Sequence, residues 1–284
     1  MAGRRRKKSG GRSYAWRYRG RIVACVFVEV IIICALVIMI GWNKGVKEWF
    51  EQFEQPVLKE VDISGINSPN AILMQAKGGK ILGEINGEAQ IYPASMTKIM
   101  TVILGIENFD DLDEKITLTN EMFTGLYEQD ATQAGFQPGE EVRVIDLLYG
   151  AMLPSGAECC IALADTISGS EADFAELMNK KARKLGMENT NFCDSTGLHN
   201  PDHYSTVKDI AVLMKYCIKN DTFREIVETS RHSTGVTNIH PDGITYYSTM
   251  FKNLSDPTVT GGKILGGKTG YTSEAGHCLV SFAE

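Results

Sequence analysis

From Ile22 to Ile40 the chain reads IVACVFVEVIIICALVIMI, an apolar run interrupted by a single carboxylate, Glu29. A helix rises about 1.5 Å per residue, so this stretch is roughly 28 Å long, close to the hydrocarbon thickness of a bilayer. The spacing predicts a transmembrane helix. Arg4, Arg5, Arg6, Lys7, Lys8, Arg12, Arg17, Arg19 and Arg21 precede it without an acidic residue among them, which places that flank in the cytoplasm by the positive-inside rule, and Trp42 and Trp49 suit the opposite interface. The expected plan is a basic cytoplasmic tail (1–21), a signal-anchor helix (22–42), a polar stalk (43–65) and a globular region (66–284) outside the cell membrane. A cleaved signal peptide is the rival reading. Against it, the apolar run exceeds the usual signal core and only Gly41-Trp42-Asn43-Lys44 follows, not a small-x-small site. Glu29 lies near the cytoplasmic end, where it can snorkel or pair with Arg21, and is assigned no role.

The basic opening segment, taken alone, would also fit a nucleic-acid arm. The apolar span behind it points to a lipid bilayer instead, and no nucleic-acid partner is expected. The whole chain carries 29 Lys+Arg against 35 Asp+Glu, so everything beyond the opening segment is acidic. With 43% hydrophobic residues it can bury the core of one sizeable domain. Cys25 and Cys34 fall in the span. Cys159, Cys160, Cys193, Cys217 and Cys278 are irregularly spaced and odd in number, which fits buried thiols better than a disulfide framework.

Ala71 to Gln75 and Ile81 to Ile85 are apolar-rich runs joined across Lys77-Gly78-Gly79-Lys80, a hairpin signal. A buried helix is expected from about Ser95, where SMTKIMTVILGI carries helix-period apolar residues. Further helices are expected over Ile145–Met152, Glu158–Ile167 and Glu171–Leu185, broken at Pro154-Ser155-Gly156, Gly169 and Gly186. Gly266 to Thr272 and His277 to Phe282 form a second hairpin signal. Strands at both ends with helices between them indicate an antiparallel sheet fed from distant parts of the chain, an α/β arrangement of the α+β kind.

Ser95-Met96-Thr97-Lys98 sets a hydroxyl and an amine three residues apart on one helix face. A serine is a poor nucleophile until a base removes its proton, and a lysine serves where a desolvated, cationic site favours its neutral form. Lys268 can contribute to that positive field and anchor an anionic substrate. Backbone N–H groups at the helix start favour negative charge developing on an attacked carbonyl oxygen. The pattern alone is weak, because Ser205-Thr206-Val207-Lys208 shares it. There, Thr206 with Asp209 reads as the capped start of a helix over Ile210 to Tyr216. Lys8-Ser9-Gly10 likewise mimics Lys268-Thr269-Gly270 but lies on the cytoplasmic side. His199 and His203, with Asp202 between them, invite a zinc reading. Pro201 breaks a continuous helix face and no His-Glu-x-x-His occurs, so a loop is expected and no metal.

In order and rough spacing, Pro93-Ala94-Ser95-Met96-Thr97-Lys98, then Ser155-Gly156-Ala157, then Lys268-Thr269-Gly270-Tyr271-Thr272 resembles the three-motif set of the low-molecular-mass D-alanyl-D-alanine carboxypeptidases, which are penicillin-binding proteins. Gly150 to Ala164, Phe174 to Gly197 and Gly266 to Cys278 look like the same family, and the likeness runs from about Asn70 to the last residue. It implies a penicillin-binding/β-lactamase-like sheet flanked by helices, with a helical subdomain and no cofactor. By resemblance Ser95 attacks the bond between two D-alanines and Lys98 accepts its proton. Ser155 relays a proton to the leaving D-alanine, and Lys268 and Thr269 hold the terminal carboxylate with Thr272 nearby. The backbone N–H groups of Ser95 and Tyr271 form the oxyanion hole. The implied partners are the peptidoglycan pentapeptide and β-lactam antibiotics, the latter as covalent inhibitors.

Two departures stand out. The family's middle motif usually ends in Asn, where Ala157 stands here, so either Glu158 compensates or turnover weakens. The chain also stops at Glu284, where the family's fold would need another core strand and a closing helix, so a truncated fragment is expected. Two alternatives stay open. One is a class A-like β-lactamase, although no convincing deacylating glutamate motif is found. The other is a degenerate homologue that binds wall peptide or β-lactam without turnover.

Overall fold

The computed structural model describes residues 59–254 and 256–284. The expected cytoplasmic tail, signal-anchor helix and most of the stalk lie outside the described residues. Among the described residues no helix is long and apolar enough to cross a membrane. One compact unit runs from Glu60 to Glu284. It begins ahead of the expected boundary at residue 66, because Val61 N–H already donates to the Leu82 carbonyl (2.6 Å).

Strands β1 (Ala71–Met74) and β2 (Ile81–Ile85) pair antiparallel across the two-glycine turn, as the sequence predicts. A 3-10 turn, Ala94–Thr97, runs without a break into α1 (Lys98–Asn108), since Thr97 already has helical dihedrals. Helix α1 is the axis of the core: Lys98 through Gly105 are all buried, so it is apolar nearly all round instead of amphipathic. Two short strands, β3 (Lys115–Thr117) and β4 (Glu141–Arg143), pair antiparallel. Helices α2 (Val144–Met152), α3 (Ala157–Ser168) and α4 (Glu171–Leu185) follow, with breaks where the sequence expects them. Ser170 caps α4 by accepting from the Asp173 N–H. Glu171 and Asp173 in its first turn and Arg183 and Lys184 in its last turn oppose the helix dipole.

Thr206 caps α5 (Val207–Cys217) by accepting from the Asp209 N–H, which gives Ser205-x-x-Lys208 its structural explanation. Next come α6 (Asp221–Glu228), the hairpin β5 (Arg231–Ser233) with β6 (Thr245–Tyr247), the short helix α7 (Thr249–Lys252), β7 (Thr258–Val259), and the long hairpin β8 (Gly262–Thr272) with β9 (Gly276–Ala283).

The sheet plan needs correction. The two ends of the chain were expected to meet in one antiparallel sheet. Among the described residues β1–β2 and β7–β8–β9 are separate sheets, and every strand pairs with a near neighbour in sequence. Each hairpin satisfies its ladder locally, and helix α5 packs against both β1 and β9 to join them. The mixed helix and sheet class is as expected. Cys159, Cys160 and Cys217 are buried free thiols, while Cys193 and Cys278 are only partly buried.

Candidate active site

Ser95 sits on the 3-10 turn at the head of α1. Ala94, just before it, takes a left-handed φ of 46°, a conformation that costs an L-residue about 1–2 kcal/mol and is tolerated only where the surroundings enforce it. The turn leaves Ser95 half-buried while Met96, Thr97 and Lys98 point inward. Lys98 is 4% exposed. Its Nζ donates to Ser95 Oγ (3.1 Å) and to the Thr196 carbonyl (2.7 Å), so the amine is aimed at the hydroxyl from a buried post.

That post has its own supports. Asp194 Oδ1 accepts from the Thr196 N–H (2.7 Å), the Thr196 hydroxyl (2.7 Å) and the Gly197 N–H (2.6 Å). His203 bridges Asp194 Oδ2 (3.0 Å, from Nδ1) and Thr97 Oγ1 (2.9 Å, from Nε2). Burial alone would raise the Asp194 carboxyl. The hydrogen bond and charge of His203, with the Thr196 and Gly197 donors, hold it instead at about 2. Gly197 closes this loop with φ 78°, and a Cβ there would come within 1.9 Å of the Ala94 carbonyl oxygen. Only glycine lets the 194–197 loop lie under the serine turn.

The opposite wall carries a second hydroxyl and amine. Ser155, on the turn between α2 and α3, has φ 74°, another left-handed non-glycine residue. Lys268, on β8 and 1% exposed, donates from Nζ to Ser155 Oγ (3.0 Å) and to the Thr269 carbonyl (2.9 Å). The positive field and anionic anchor read from the sequence need Lys268 charged. Burial, and after it the positive charge of Lys98, push its ammonium down from 10.5 to about 7. Thr269 Oγ1 lies 2.6 Å from Thr249 Oγ1. Strand β8 passes so close to the serine turn that a Cβ on Gly270 would stand 3.0 Å from the Ser95 backbone nitrogen. The Tyr271 side chain is exposed and tilts against His277, with ring centroids 4.9 Å apart. Thr272 Oγ1 accepts from the Ala275 N–H (3.1 Å), which fixes the β8–β9 turn.

All eight residues expected from the sequence thus fall on the serine turn, the first residue of α1, the α2–α3 turn or β8. Glu158 does not stand in for the missing amide at Ala157. Its Oε1 accepts from the Ala134 N–H (2.6 Å) and the Gly135 N–H (2.9 Å), while Oε2 is buried without a hydrogen-bond partner. Burial raises its carboxyl above the usual range. Lys98 Nζ is met by the Thr196 carbonyl (2.7 Å). Asp194, Thr196 and Thr249 carry no mark in the sequence: the first two lie in the stretch Phe174 to Gly197, but nothing in their type or spacing singles them out. His203, weighed as a zinc ligand, is instead the partner of Asp194. His199 meets Tyr92 edge-on, with ring centroids 4.8 Å apart. Among the described residues no group of side chains could hold a metal ion.

Comparison with known proteins bears on the family and the fold. A model of the D-alanyl-D-alanine carboxypeptidase family (peptidase S11) matches residues 57–284. D-alanyl-D-alanine carboxypeptidase DacF of Bacillus subtilis is 35% identical over 219 residues, 76% of this chain and 54% of that protein. DacC of Escherichia coli is 33% identical over 248 residues, 78% of this chain and 55% of its own length. The chain therefore spans about half the length of these curated relatives. The crystal structure of the Streptomyces K15 DD-transpeptidase superposes with a TM-score of 0.70 at 29% identity, covering 79% of this chain and 87% of that one. With a matching family model, relatives of this similarity and a shared fold, the chain belongs to the D-alanyl-D-alanine carboxypeptidase family.

Proposed function

We propose that the protein is a serine carboxypeptidase that removes the terminal D-alanine from D-alanyl-D-alanine-ended peptidoglycan peptides. Ser95 Oγ attacks the carbonyl carbon of the penultimate D-alanine as Lys98 Nζ takes its proton. Backbone N–H groups of Ser95 and Tyr271 receive the oxyanion, which the glycine at 270 permits by letting the strand approach. When the C–N bond breaks, the proton taken up by Lys98 is relayed through the Ser155 hydroxyl to the leaving amine, which leaves Lys98 neutral and Ser155 a hydroxyl again. Lys268 and the Thr269 hydroxyl hold the substrate's free carboxylate, with Thr272 at the end of the same strand. An arriving carboxylate favours the charged form of Lys268, so binding draws a proton onto the buried amine. Water then attacks the acyl-enzyme ester and releases the shortened peptide.

The single observation that carries this reading is the pairing of Lys98 Nζ with Ser95 Oγ at 3.1 Å, both held in place by buried groups. The ring strain of a β-lactam and its carboxylate suit the same site, so β-lactams are expected to acylate Ser95. A second reading concerns only the acyl acceptor: the relative from Streptomyces K15 is named a DD-transpeptidase, so an amine could replace water in the last step. Release of D-alanine from a synthetic peptide, measured with and without an added amino acid acceptor, tests both. Hydrolysis without acceptor supports a carboxypeptidase, a product carrying the acceptor supports transfer, and neither product leaves only a binding protein. We also propose that residues 22–42 anchor the protein in the cell membrane by one pass, with the site on the extracytoplasmic side where its substrate lies. The charge asymmetry about the apolar run supports this topology.

A further inference from the structure

We propose that Thr249 is a positioning residue for carboxylate selection, acting through Thr269 and resting on the reading above that Thr269 binds the substrate's terminal carboxylate. Thr249 opens the short helix α7, outside every motif that marks the site in sequence. Its hydroxyl lies 2.6 Å from that of Thr269. Its backbone N–H donates to the carbonyl of Leu153 (3.1 Å), two residues before Ser155. One residue thus touches both walls of the cleft, the strand with Lys268 and Thr269 and the turn with Ser155. Helix α7 is itself fixed: Ser248 N–H donates to the Ser230 carbonyl (2.9 Å), and Met250 packs under β8, where a Cβ on Gly267 would come within 2.7 Å of its sulfur.

A single proton bridges the two threonine oxygens, and its direction decides what Thr269 offers the site. If Thr269 donates to Thr249, it presents only lone pairs, which repel a carboxylate. If Thr249 donates, the Thr269 proton is free to point at the carboxylate, which can only accept. A bound carboxylate therefore selects the second arrangement, and the chain Thr249 to Thr269 to carboxylate is polarised in one direction. Replacing the Thr249 hydroxyl by a methyl leaves Thr269 oriented by chance and lets its proton turn away.

The test uses the full chain and a matched pair of substrates, an N-acylated D-alanyl-D-alanine peptide with a free carboxylate and its methyl ester. Thr249→Val keeps the shape and removes the hydroxyl. It should raise KM for the free acid about tenfold, the scale of one hydrogen bond to a charged group, with a much smaller change in kcat and in the ester's kinetics. Thr249→Ser should restore the preference, and Thr269→Val should lose it as well. The double Val variant should be no worse than Thr269→Val alone, because the outer residue works through the inner one. Thermal unfolding is followed for each variant, and Thr249→Ala carries the comparison if valine disturbs α7. Unchanged preference in Thr249→Val beside a clear loss in Thr269→Val overturns the proposal and leaves the carboxylate reading standing. So does an equal loss on acid and ester with falling kcat, the mark of a merely structural role. Preference retained in Thr269→Val, or no turnover of either substrate by the unaltered chain, overturns both.

Discussion

Two amines face two hydroxyls across the cleft, and their surroundings give them different work. Lys98 is held by the Thr196 carbonyl and points at Ser95, whereas Lys268 is held by the Thr269 carbonyl and points at Ser155. Lys98→Met removes the proposed proton acceptor and should slow acylation by about 10²–10⁴-fold at every pH, read from the rate of β-lactam labelling. Lys268→Met should keep acylation by substrates lacking a carboxylate while weakening selection for those that have one. Lys268 also makes a stability prediction. In the fold it loses its proton near 7, but in the unfolded chain near 10.5, so between those values the unfolded chain holds the extra proton and stability rises with pH. Unfolding midpoints measured at pH 7 and pH 9 should rise by more for the wild type than for Lys268→Met; an identical rise in both would show that the buried amine is not the source. Ser205 shares the sequence pattern of Ser95 but is fully buried and bonded to Thr190 Oγ1 (2.8 Å). Ser95→Ala should abolish covalent penicillin labelling in a gel, and Ser205→Ala should leave it.

The elements show which parts of this architecture could be read from sequence. The β1–β2 and β8–β9 hairpins were legible because glycine turns and apolar runs are local signals, whereas the short pairs β3–β4 and β5–β6 were not, and the α2, α3 and α4 boundaries were legible because Pro154, Gly169 and Gly186 punctuate them. The separation of the sheets was not, since strand partners depend on contacts between distant segments that periodicity does not encode. The site divides the same way. Ser95 and Lys98 share one turn of helix, so spacing alone brings them together, and the ordered motifs brought in Ser155 and β8. The Asp194–His203 brace and Thr249 come from loops and a four-residue helix, where no period exists to flag them. The 194–197 loop is nevertheless as constrained as any helix. Gly197→Ala forces a Cβ against the Ala94 carbonyl and should cost at least about 2 kcal/mol or displace the serine turn. Denaturant unfolding together with β-lactam labelling checks this. A variant of normal stability and normal labelling would mean that the loop does not support the site.

At the scale of the whole molecule, the fold places the half-buried Ser95, the proposed nucleophile, where three separate pieces meet: the head of α1, the α2–α3 turn and β8. The proposed topology puts that meeting point outside the cell. Protease added to intact, wall-stripped cells should therefore remove the region beyond about Asn43 and spare the tail before Arg21, followed with a tag at each end; protection of the entire chain would contradict the proposed orientation. The most direct test of the account is mass spectrometry of the full chain after exposure to a labelled penicillin, sampled over time and followed by peptide mapping. One adduct per chain is expected, located on Ser95 and persisting long after free penicillin is removed. An adduct on another residue, rapid loss of the label as in a β-lactamase, or no adduct at all would contradict it.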